Sequence, residues 1–265
     1  MPHMLILGMG YTASRLAVRL RAEGWKVTGV RRRADADALA FDDESAVRAA
    51  IAQASYILSS VPPEGDADPV LTRYGRLIAA APAIWTGYLS STGVYGDAAG
   101  AWVDEASPIR FGRRAARAHA DADWGALRAD TRRFRLPGIY GPSRSALDRV
   151  REGRAHRIDL PDQVFSRAHV DDIVAGIAAS LHQGPPGIYN LSDDLPCAQN
   201  RLIEAACTLL GQSPPPLLTL EQAQLSPMAL SFYAENRRVA NGRAKRLLGW
   251  SPRYPTYREG LPACL

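Results

Sequence analysis

Met4-Leu5-Ile6-Leu7-Gly8-Met9-Gly10-Tyr11-Thr12-Ala13 is the stretch that decides the fold, because an apolar run leads directly into Gly-x-Gly-x-x-Ala. Leu16, Ala17 and Leu20 then share one face of a helix, Gly24 ends that helix, and a second short apolar run follows. This order of strand, glycine turn, helix and strand is typical of a dinucleotide-binding unit. The alternative is a glycine turn in an α/β protein that binds no nucleotide.

The small residues of this loop have separate roles in such a unit. Gly8 permits the tight turn, Gly10 lets the backbone approach a pyrophosphate, and Ala13 lets the helix pack closely on the strand. The backbone amides near Tyr11, Thr12 and Ala13 then face the phosphates from the positive end of the helix dipole. The sequence therefore predicts a pyrophosphate site at the start of the first helix.

Arginines follow the second predicted strand, where an NAD-binding unit usually has Asp or Glu for the ribose 2′-hydroxyl. The chain has Arg31 and Arg32 there, followed by a third arginine. Since a guanidinium pairs with a phosphate through two parallel hydrogen bonds, we expect NADP, with NAD as the alternative. A solvated basic turn is the competing interpretation.

Two further segments are predicted to border the cofactor. Asp43 follows a short third strand and is a candidate for a hydrogen bond to an adenine amine. Capping the helix predicted over 45–53 is the alternative, slightly favoured for Asp42 over Asp43. A fourth strand ends at Ser60, Val61 and Pro62, and the carboxyl ends of parallel strands line the ligand crevice of an open α/β sheet. These three residues should therefore lie beside the cofactor.

The composition limits the other classes of function. The 265 residues carry a net charge of +5, nearly all of the positive charge is arginine, and no basic stripe alternates with aromatic residues, so nucleic-acid binding is not expected. No apolar run reaches the roughly 18 residues of a membrane span. The cysteines are scattered without a C-x-x-C pair, which predicts neither disulfides nor a metal site. The first strand begins at once and leaves no room for a signal peptide, so we expect a cytoplasmic protein.

Five later motifs follow one another along the chain, beginning with Leu-Ser-Ser-Thr-Gly-Val-Tyr-Gly at 89–96 and continuing at 135–142, 165–173, 187–194 and 248–261. Together they resemble the extended short-chain dehydrogenase/reductase group, which contains NAD(P)-dependent epimerases and dehydratases. The resemblance implies an α/β protein with a Rossmann-type doubly wound parallel sheet and a smaller C-terminal substrate lobe. It also leaves a homodimer, formed through two helices flanking the sheet, as one assembly that the family allows.

The same resemblance suggests a division of the chain. Residues 1–142 would form the dinucleotide-binding domain, to which 161–184 and 187–192 return. Residues 143–160 and 193–265 would form the substrate lobe and the C-terminal segment. A long helix is predicted from about residue 112 to residue 129, and Asp171 or Asp172 is interpreted as the cap of a helix over 173–181.

The chain departs from the family at the reacting residues. The resemblance implies a Ser or Thr, a Tyr, and a Lys four residues after that Tyr, which lowers the pKa of the tyrosine. Ser91 matches the first of these residues. Phe111 stands where the tyrosine should be and Ala115 where the lysine should be, and no lysine lies between Lys26 and Lys245. Neither replacement can exchange a proton.

Other residues are candidates for the missing chemistry. Tyr95 lies just beyond Ser91, and we expect it at the mouth of the same crevice; Tyr140 follows the sixth strand on the substrate side. For both residues the packing of a half-buried tyrosine is the favoured alternative. Arg167 lies on a strand that ends in the substrate region, where it would bind a substrate carboxylate or phosphate. A structural ion pair with an aspartate is equally compatible with the sequence.

Two functions of different class remain at this point. The first is an NAD(P)-dependent oxidoreductase or epimerase-like enzyme that acts on a small carbonyl or sugar-derived substrate, with Ser91 and Tyr95 as its candidate catalytic residues. The second is an NADP-binding sensor or regulatory protein without turnover. The intact Ser91 favours the first function, and the absence of the Tyr and Lys pair favours the second.

Overall fold

A computed structural model of the chain describes residues 1–111 and 115–265. Seven of the described strands form one sheet in which neighbouring strands are parallel, in the order β11-β7-β5-β4-β1-β2-β3. The strands, in chain order, are β1 His3–Leu7, β2 Lys26–Arg31, β3 Ala38–Ala40, β4 Tyr56–Ser59, β5 Trp85–Ser91, β6 Trp102–Val103, β7 Thr131–Leu136, β8 Gly138–Tyr140, β9 Arg157–Ile158, β10 Arg167–His169, β11 Gly187–Asn190, β12 Leu217–Leu218 and β13 Arg238–Val239. The predicted α/β fold with a parallel sheet is confirmed.

The order of the strands places a crevice above β1. This strand is central and every residue in it is buried, which accounts for its nearly continuous apolar sequence, since a parallel strand is covered on both faces. The chain runs outward from β1 through β2 and β3 on one side, and then from β4 through β5, β7 and β11 on the other. Ligands of open α/β sheets bind where the strand order reverses in this way, beyond the carboxyl ends of the strands.

Helices cover both faces of the sheet. Leu16 and Leu20 of the first helix pack in one cluster with Ile173 and Ile177, and Tyr74 packs with Trp124 in the cluster on the opposite face. The helices, in chain order, are α1 Tyr11–Ala22, α2 Glu44–Gln53, α3 Pro69–Ala79, α4 Ala115–Leu127, α5 Ala146–Arg151, α6 Val170–Ala179, α7 Gln199–Leu210, α8 Pro227–Tyr233, α9 Gly242–Leu248 and α10 Tyr257–Gly260, with 3-10 turns at Thr92–Tyr95 and Pro262–Cys264.

A third apolar cluster lies away from the two faces of the large sheet. It joins α5, α7 and α10 around Leu147, Ile203 and Tyr257. Short two-stranded pairings of β8 with β10 and of β9 with β12 accompany it. The division of the chain into a dinucleotide-binding domain and a substrate lobe stays a prediction.

The start of α6 differs from the prediction. This helix begins at Val170, three residues earlier than predicted, and its cap is His169, whose Nδ1 accepts the backbone N–H of Asp171 at 3.2 Å. The Asp172 carboxylate instead accepts the N–H groups of Arg253 and Tyr254, at 2.6 and 3.1 Å. The assignment of Asp171 or Asp172 as the cap was therefore wrong, because Asp172 is committed to the C-terminal segment.

Two other observations concern the helices. The predicted helix over 112–129 corresponds to α4, whose last residue is Leu127; residues 112–114, at its predicted start, lie outside the described residues. None of the helices formed by residues 1–111 and 115–265 combines the length and the apolar character that crossing a membrane would require.

Candidate active site

Gly8 and Gly10 occupy very different surroundings in the loop between β1 and α1. Gly8 has a φ of +93°, and a Cβ there would lie 2.8 Å from Val61 Cγ2, so this position requires glycine for both conformation and space. Ser60 Oγ donates a hydrogen bond to the Gly8 carbonyl and fixes the turn. Gly10 has an ordinary φ of −87°, and no heavy atom of the described residues lies within 4 Å of where its Cβ would be. The absence of a side chain at Gly10 therefore leaves open space beside the loop.

The start of α1 offers unpaired donors to that space. Gly10 is the N-cap residue and has no side chain to accept the first amides of the helix. These amides have no acceptor within the helix either, since the first N–H groups of any α-helix lie beyond its own carbonyls. Such donors, with the positive end of the helix dipole, suit a bound phosphate. The loop thus fits the pyrophosphate that the sequence predicts.

One large cavity, of about 950 Å³, opens from this loop. Six of the predicted cofactor residues line this cavity. They come from the start of α1 and from the loop after β4: Gly10, Tyr11, Thr12, Ala13, Ser60 and Pro62. Gly8 and Val61 lie behind the loop, against each other. Arg31, Arg32 and Asp43 are outside the cavity lining. The cavity continues past the end of β5 to α5, α7 and α8.

The residues predicted to bind the adenosine part lie along β2 and α2. Arg31 is partly exposed and forms an ion pair with Asp35, four residues on, while Arg32 is exposed. Asp43 accepts the N–H of Ala46 at 3.0 Å and is therefore the cap of α2. Asp42, which was the favoured cap, pairs with Arg73 instead, so that preference was wrong. The adenine contact predicted for Asp43 stays a prediction.

Ser91 stands at the carboxyl end of β5 and lines the cavity. Its Oγ accepts the N–H of Gly93 at 3.0 Å, which starts the 3-10 turn, and the hydroxyl proton has no acceptor among the described residues. The neighbouring Ser90 also reaches the cavity lining, but its hydroxyl donates to Asp121 Oδ1 at 2.6 Å. Ser91 is thus placed to donate a hydrogen bond to a bound molecule.

Tyr95 does not lie where the sequence predicted. Its side chain is 1% exposed, outside the lining that contains Ser91, and its hydroxyl donates to Asn190 Oδ1 at 2.7 Å. The Arg135 guanidinium lies over its ring, 4.8 Å from the centroid. Burial raises the pKa of Tyr95 to about 12. The predicted position at the mouth of the crevice is wrong, because the 3-10 turn after Ser91 directs this side chain into the core.

Tyr140 and Arg167 both line the cavity, but each is largely enclosed. The Tyr140 hydroxyl is buried without a hydrogen bond from the described residues and packs so tightly on Gly260 that a Cβ there would lie 2.0 Å away. Burial raises the pKa of Tyr140 well above its usual range. The Arg167 guanidinium donates to the carbonyls of Phe165 and Cys197, both at 3.0 Å, and to Gln199 Oε1 at 2.8 Å. The aspartate partner that one interpretation required is not among these contacts.

The positions of the missing Tyr and Lys lie at the start of α4. Phe111 is 58% exposed and its ring contacts His119, 5.0 Å between centroids. Ala115 begins the described part of the helix. Within the described residues, Arg117 is the cation that α4 contributes to the cavity lining. Sequence reasoning missed Arg117, although its place two residues beyond Ala115 was a signal that could have drawn attention to it.

A buried charged cluster beneath β5 was also missed. Asp121 of α4 accepts hydrogen bonds from Arg135 of β7, at 3.1 and 2.8 Å, and from Arg133, at 3.1 Å. Neither Asp121 nor Arg135 is exposed. The cluster joins α4 to β7 and, through the hydrogen bond from Ser90 to Asp121, to β5, the strand that carries Ser91.

Comparisons with known proteins agree with this arrangement. No family model matches the chain. A conserved protein of unknown function from Silicibacter pomeroyi DSS has a solved structure that is 39% identical, with a TM-score of 0.88 over 100% of this chain and 98% of that one. The human epimerase family protein SDR39U1, solved with NADPH, is 18% identical, with a TM-score of 0.79 over 99% and 98% of the two chains. The UDP-glucose 4-epimerase of Thermotoga maritima, solved with UDP-glucose, is 15% identical, with a TM-score of 0.77 over 99% and 97%.

A further relative is similar in sequence over only part of each chain. The 3-diazoavenalumate denitrifying reductase of a Streptomyces species is 30% identical over 142 residues, which are 48% of this chain and 45% of that protein. The match therefore spans less than half of the relative's length.

The chain has the same fold as these epimerase structures, and the resemblance seen in the motifs is confirmed at the level of the fold. Within that fold, the chain belongs to the same family as the Silicibacter protein, because their similarity extends over the whole of both chains.

Proposed function

We propose that the chain binds NADP and transfers hydride between this cofactor and a small electrophilic substrate. The observation that carries the proposal is that the open loop at Gly10 and the free hydroxyl of Ser91 face one cavity. A dinucleotide bound at the loop would extend along the carboxyl ends of the strands toward Ser91. The reduced cofactor supplies the hydride when it is bound, and the chain supplies the binding and the orientation.

The cofactor would be held mainly by backbone groups. The first amides of α1 would bind the pyrophosphate, and Ser60 and Pro62 would border the chain of the dinucleotide on the opposite side of the loop. We propose that Arg31 and Arg32 bind a 2′-phosphate, which favours NADP over NAD. Solved proteins of this fold are described with NADPH in one case and with NAD in others, so the preference depends on this chain's own arginines.

Neither Tyr95 nor Tyr140, the tyrosines considered as proton donors, is placed to act as an acid beside Ser91. The hydroxyls of Tyr95 and Tyr140 are turned away from the cavity, and Phe111 has no proton to give. Ser91 would donate a hydrogen bond to the substrate without losing its proton. The reaction proposed is therefore one in which any proton required comes from water.

A substrate whose hydride-transfer step consumes no acid would suit this site well. The Streptomyces relative is named as a reductase that acts on a diazo compound with denitrification. In the protonated, diazonium form of such a compound, hydride adds to carbon and forms a new C–H bond while the C–N bond breaks. The electron pair of the broken C–N bond leaves with dinitrogen. No acid is consumed in that step. We therefore propose electrophiles of this class as substrates, in addition to a small carbonyl or sugar-derived compound.

The test has a binding step and a turnover step. NADPH and NADH are titrated by cofactor fluorescence, and the loss of reduced cofactor is then followed with a panel of aldehydes and ketones and a panel of aryl diazonium compounds. Ser91→Ala should leave NADPH affinity unchanged and lower turnover by about a hundredfold, as removal of a positioned hydrogen-bond donor does. Failure to bind either nucleotide would refute the proposal. Binding without oxidation in both panels would favour the sensor without turnover.

A further inference from the structure

The cavity as a whole carries more positive charge than its carboxylates neutralise. Its lining includes six arginines and three carboxylates. Glu152 pairs with Arg154 and Glu235 pairs with Arg237 at 2.8 Å. Asp148 accepts the N–H and the hydroxyl of Ser145 and lies 3.9 Å from Arg151, which is outside the lining. Within the described part of the chain, four lining arginines are left without a carboxylate at ion-pair distance: Arg117, Arg144, Arg149 and Arg167.

Arg167 is the most unusual member of this set, because its side chain is buried. Its hydrogen bonds go to uncharged acceptors, the carbonyls of Phe165 and Cys197 and the amide oxygen of Gln199. The nearby Asp193 does not balance the charge near neutral pH, since burial raises the pKa of its carboxyl to about 8. A buried cation without a counter-ion is costly, and an anion in the adjoining cavity would offset that cost.

Arg149 approaches the same end of the cavity as Arg167, from α5. Its side chain is exposed and makes no hydrogen bond or ion pair with the described residues. Burial raises the pKa of Tyr233, and the charges of both Arg149 and Arg167 oppose that rise, so the two guanidinium groups face a common neighbour. Burial, and after it the charge of Arg149, lower the pKa of His156, which disfavours a charged imidazole there.

Aromatic rings lie beside the two arginines. Phe165 and Tyr233 meet edge to face with 5.5 Å between their centroids, and the Arg167 guanidinium is 5.6 Å from the centroid of Phe165. Both rings belong to the cavity lining. An apolar or aromatic molecule could pack on them while an attached anion reaches the arginines.

We propose that this end of the cavity binds the oxyanion, a carboxylate or a phosphate, of an aromatic substrate, with Arg167 and Arg149 as the binding cations. The inference rests on the proposed function for the identity of the bound molecule as a substrate, but binding of the oxyanion itself does not require turnover. The electrophilic part of the molecule would then extend toward Ser91.

Three probes of similar shape test the proposal: benzoate, phenyl phosphate and the neutral benzamide. Their binding is measured by calorimetry on the full chain saturated with NADP and on the chain alone. We expect one or both anions to bind at least about tenfold more tightly than benzamide, since a charge-assisted hydrogen bond is worth more than a neutral one. The ratio of benzoate to phenyl phosphate identifies which oxyanion the site prefers.

Variants separate a specific site from general attraction. Arg149→Gln should weaken anion binding about tenfold, because this side chain has no structural partner to lose. Arg151→Gln is the matched control: it is an exposed arginine of the same helix that does not line the cavity, although its Nη1 lies 3.9 Å from Asp148 Oδ1, and its loss should change anion binding far less than Arg149→Gln does. Arg167→Lys is used in place of a truncation, because Arg167 also bonds two backbone carbonyls, and it should weaken binding as well.

Equal affinity for benzamide and the anions, or equal losses in Arg149→Gln and Arg151→Gln, would overturn the inference. Titration of NADPH into the same variants keeps the two proposals separate. Retained NADPH binding without anion binding would overturn the anion site alone. Anion binding without nucleotide binding would overturn the proposed function and leave the anion site standing.

Discussion

Arg135 and Asp121 form an ion pair of 2.8 Å, Nη2 to Oδ2, in which neither side chain is exposed to solvent. The same carboxylate accepts the Ser90 hydroxyl at 2.6 Å, and one face of the guanidinium covers the ring of Tyr95. This pair therefore joins α4, β5 and β7 directly beneath Ser91. It fixes the strand end on which the proposed chemistry depends, without itself contacting the cavity.

Replacement of Asp121 should be strongly destabilising. Asp121→Asn keeps the shape of the side chain but leaves Arg135 as an unpaired buried cation, which should cost about 3 kcal/mol of unfolding free energy. Urea denaturation of the variant and the wild type measures the difference. Asp123→Asn, an exposed change in the same helix, should alter stability by no more than about 0.5 kcal/mol. Equal effects of the two changes would show that the buried pair contributes no more than a surface charge.

Gly8 and Gly10 should respond oppositely to alanine. Gly8→Ala places a Cβ 2.8 Å from Val61 in a left-handed backbone conformation, so it should destabilise the fold by more than about 1 kcal/mol. In Gly10→Ala the added methyl group meets none of the described residues within 4 Å, so stability should be nearly unchanged, while the methyl group occupies the space proposed for the pyrophosphate. Thermal unfolding and NADPH titration are measured on both variants. Unchanged NADPH affinity in Gly10→Ala would contradict the proposed position of the dinucleotide.

The features of this fold that depend on residues close together in the sequence could be predicted from it. The glycine spacing predicted both the tight turn at Gly8 and the open space at Gly10, because each depends on the backbone of its own loop. The strand ends at Ser60 and Ser91 were likewise predictable from apolar runs. These features place the loop and the serine at the same edge of the sheet before any long-range contact is known.

Contacts between residues far apart in the sequence could not be predicted in this way. The hydrogen bond from Tyr95 to Asn190 joins residues 95 positions apart, and nothing in the short Val-Tyr-Gly motif indicates that the ring turns inward. Arg135 looks like an ordinary strand arginine until Asp121 is placed opposite it. The cap of α6 was misassigned because an aspartate is the usual cap, whereas here the Asp172 carboxylate holds the backbone of residues 253 and 254.

Arg31→Asp should reverse the proposed preference between the two nucleotides. A carboxylate at this position repels a 2′-phosphate and accepts a hydrogen bond from a ribose 2′-hydroxyl, so the ratio of NADPH to NADH affinity should fall by at least about tenfold. Fluorescence titration of both nucleotides gives the ratio. Arg33→Asp makes the same charge change two residues further on and serves as the control. Equal affinities for the two nucleotides in the wild type would refute the specificity outright.

Tyr95→Phe separates catalysis from packing. The hydroxyl of Tyr95 faces Asn190 and lies outside the cavity lining, so its removal should leave any turnover with NADPH unchanged. It should nevertheless destabilise the fold by about 1 kcal/mol, because the buried amide of Asn190 loses a hydrogen-bond donor. Steady-state kinetics and urea denaturation are compared on the same preparation. A large fall in turnover at unchanged stability would return Tyr95 to the list of proton donors.

Asp193 should make the stability of the protein depend on pH in an unusual direction. Burial raises the pKa of this carboxyl from 3.8 to about 8, and one of its oxygens has no hydrogen-bond partner among the described residues. The folded state therefore holds a proton that the unfolded chain releases, and between about pH 4 and pH 8 the contribution of Asp193 to stability falls as the pH rises. Asp193→Asn keeps the neutral form at every pH and removes this dependence. In urea denaturation across this range, the variant should gain stability relative to the wild type as the pH increases, whereas parallel curves would show that Asp193 is ionised in the folded protein.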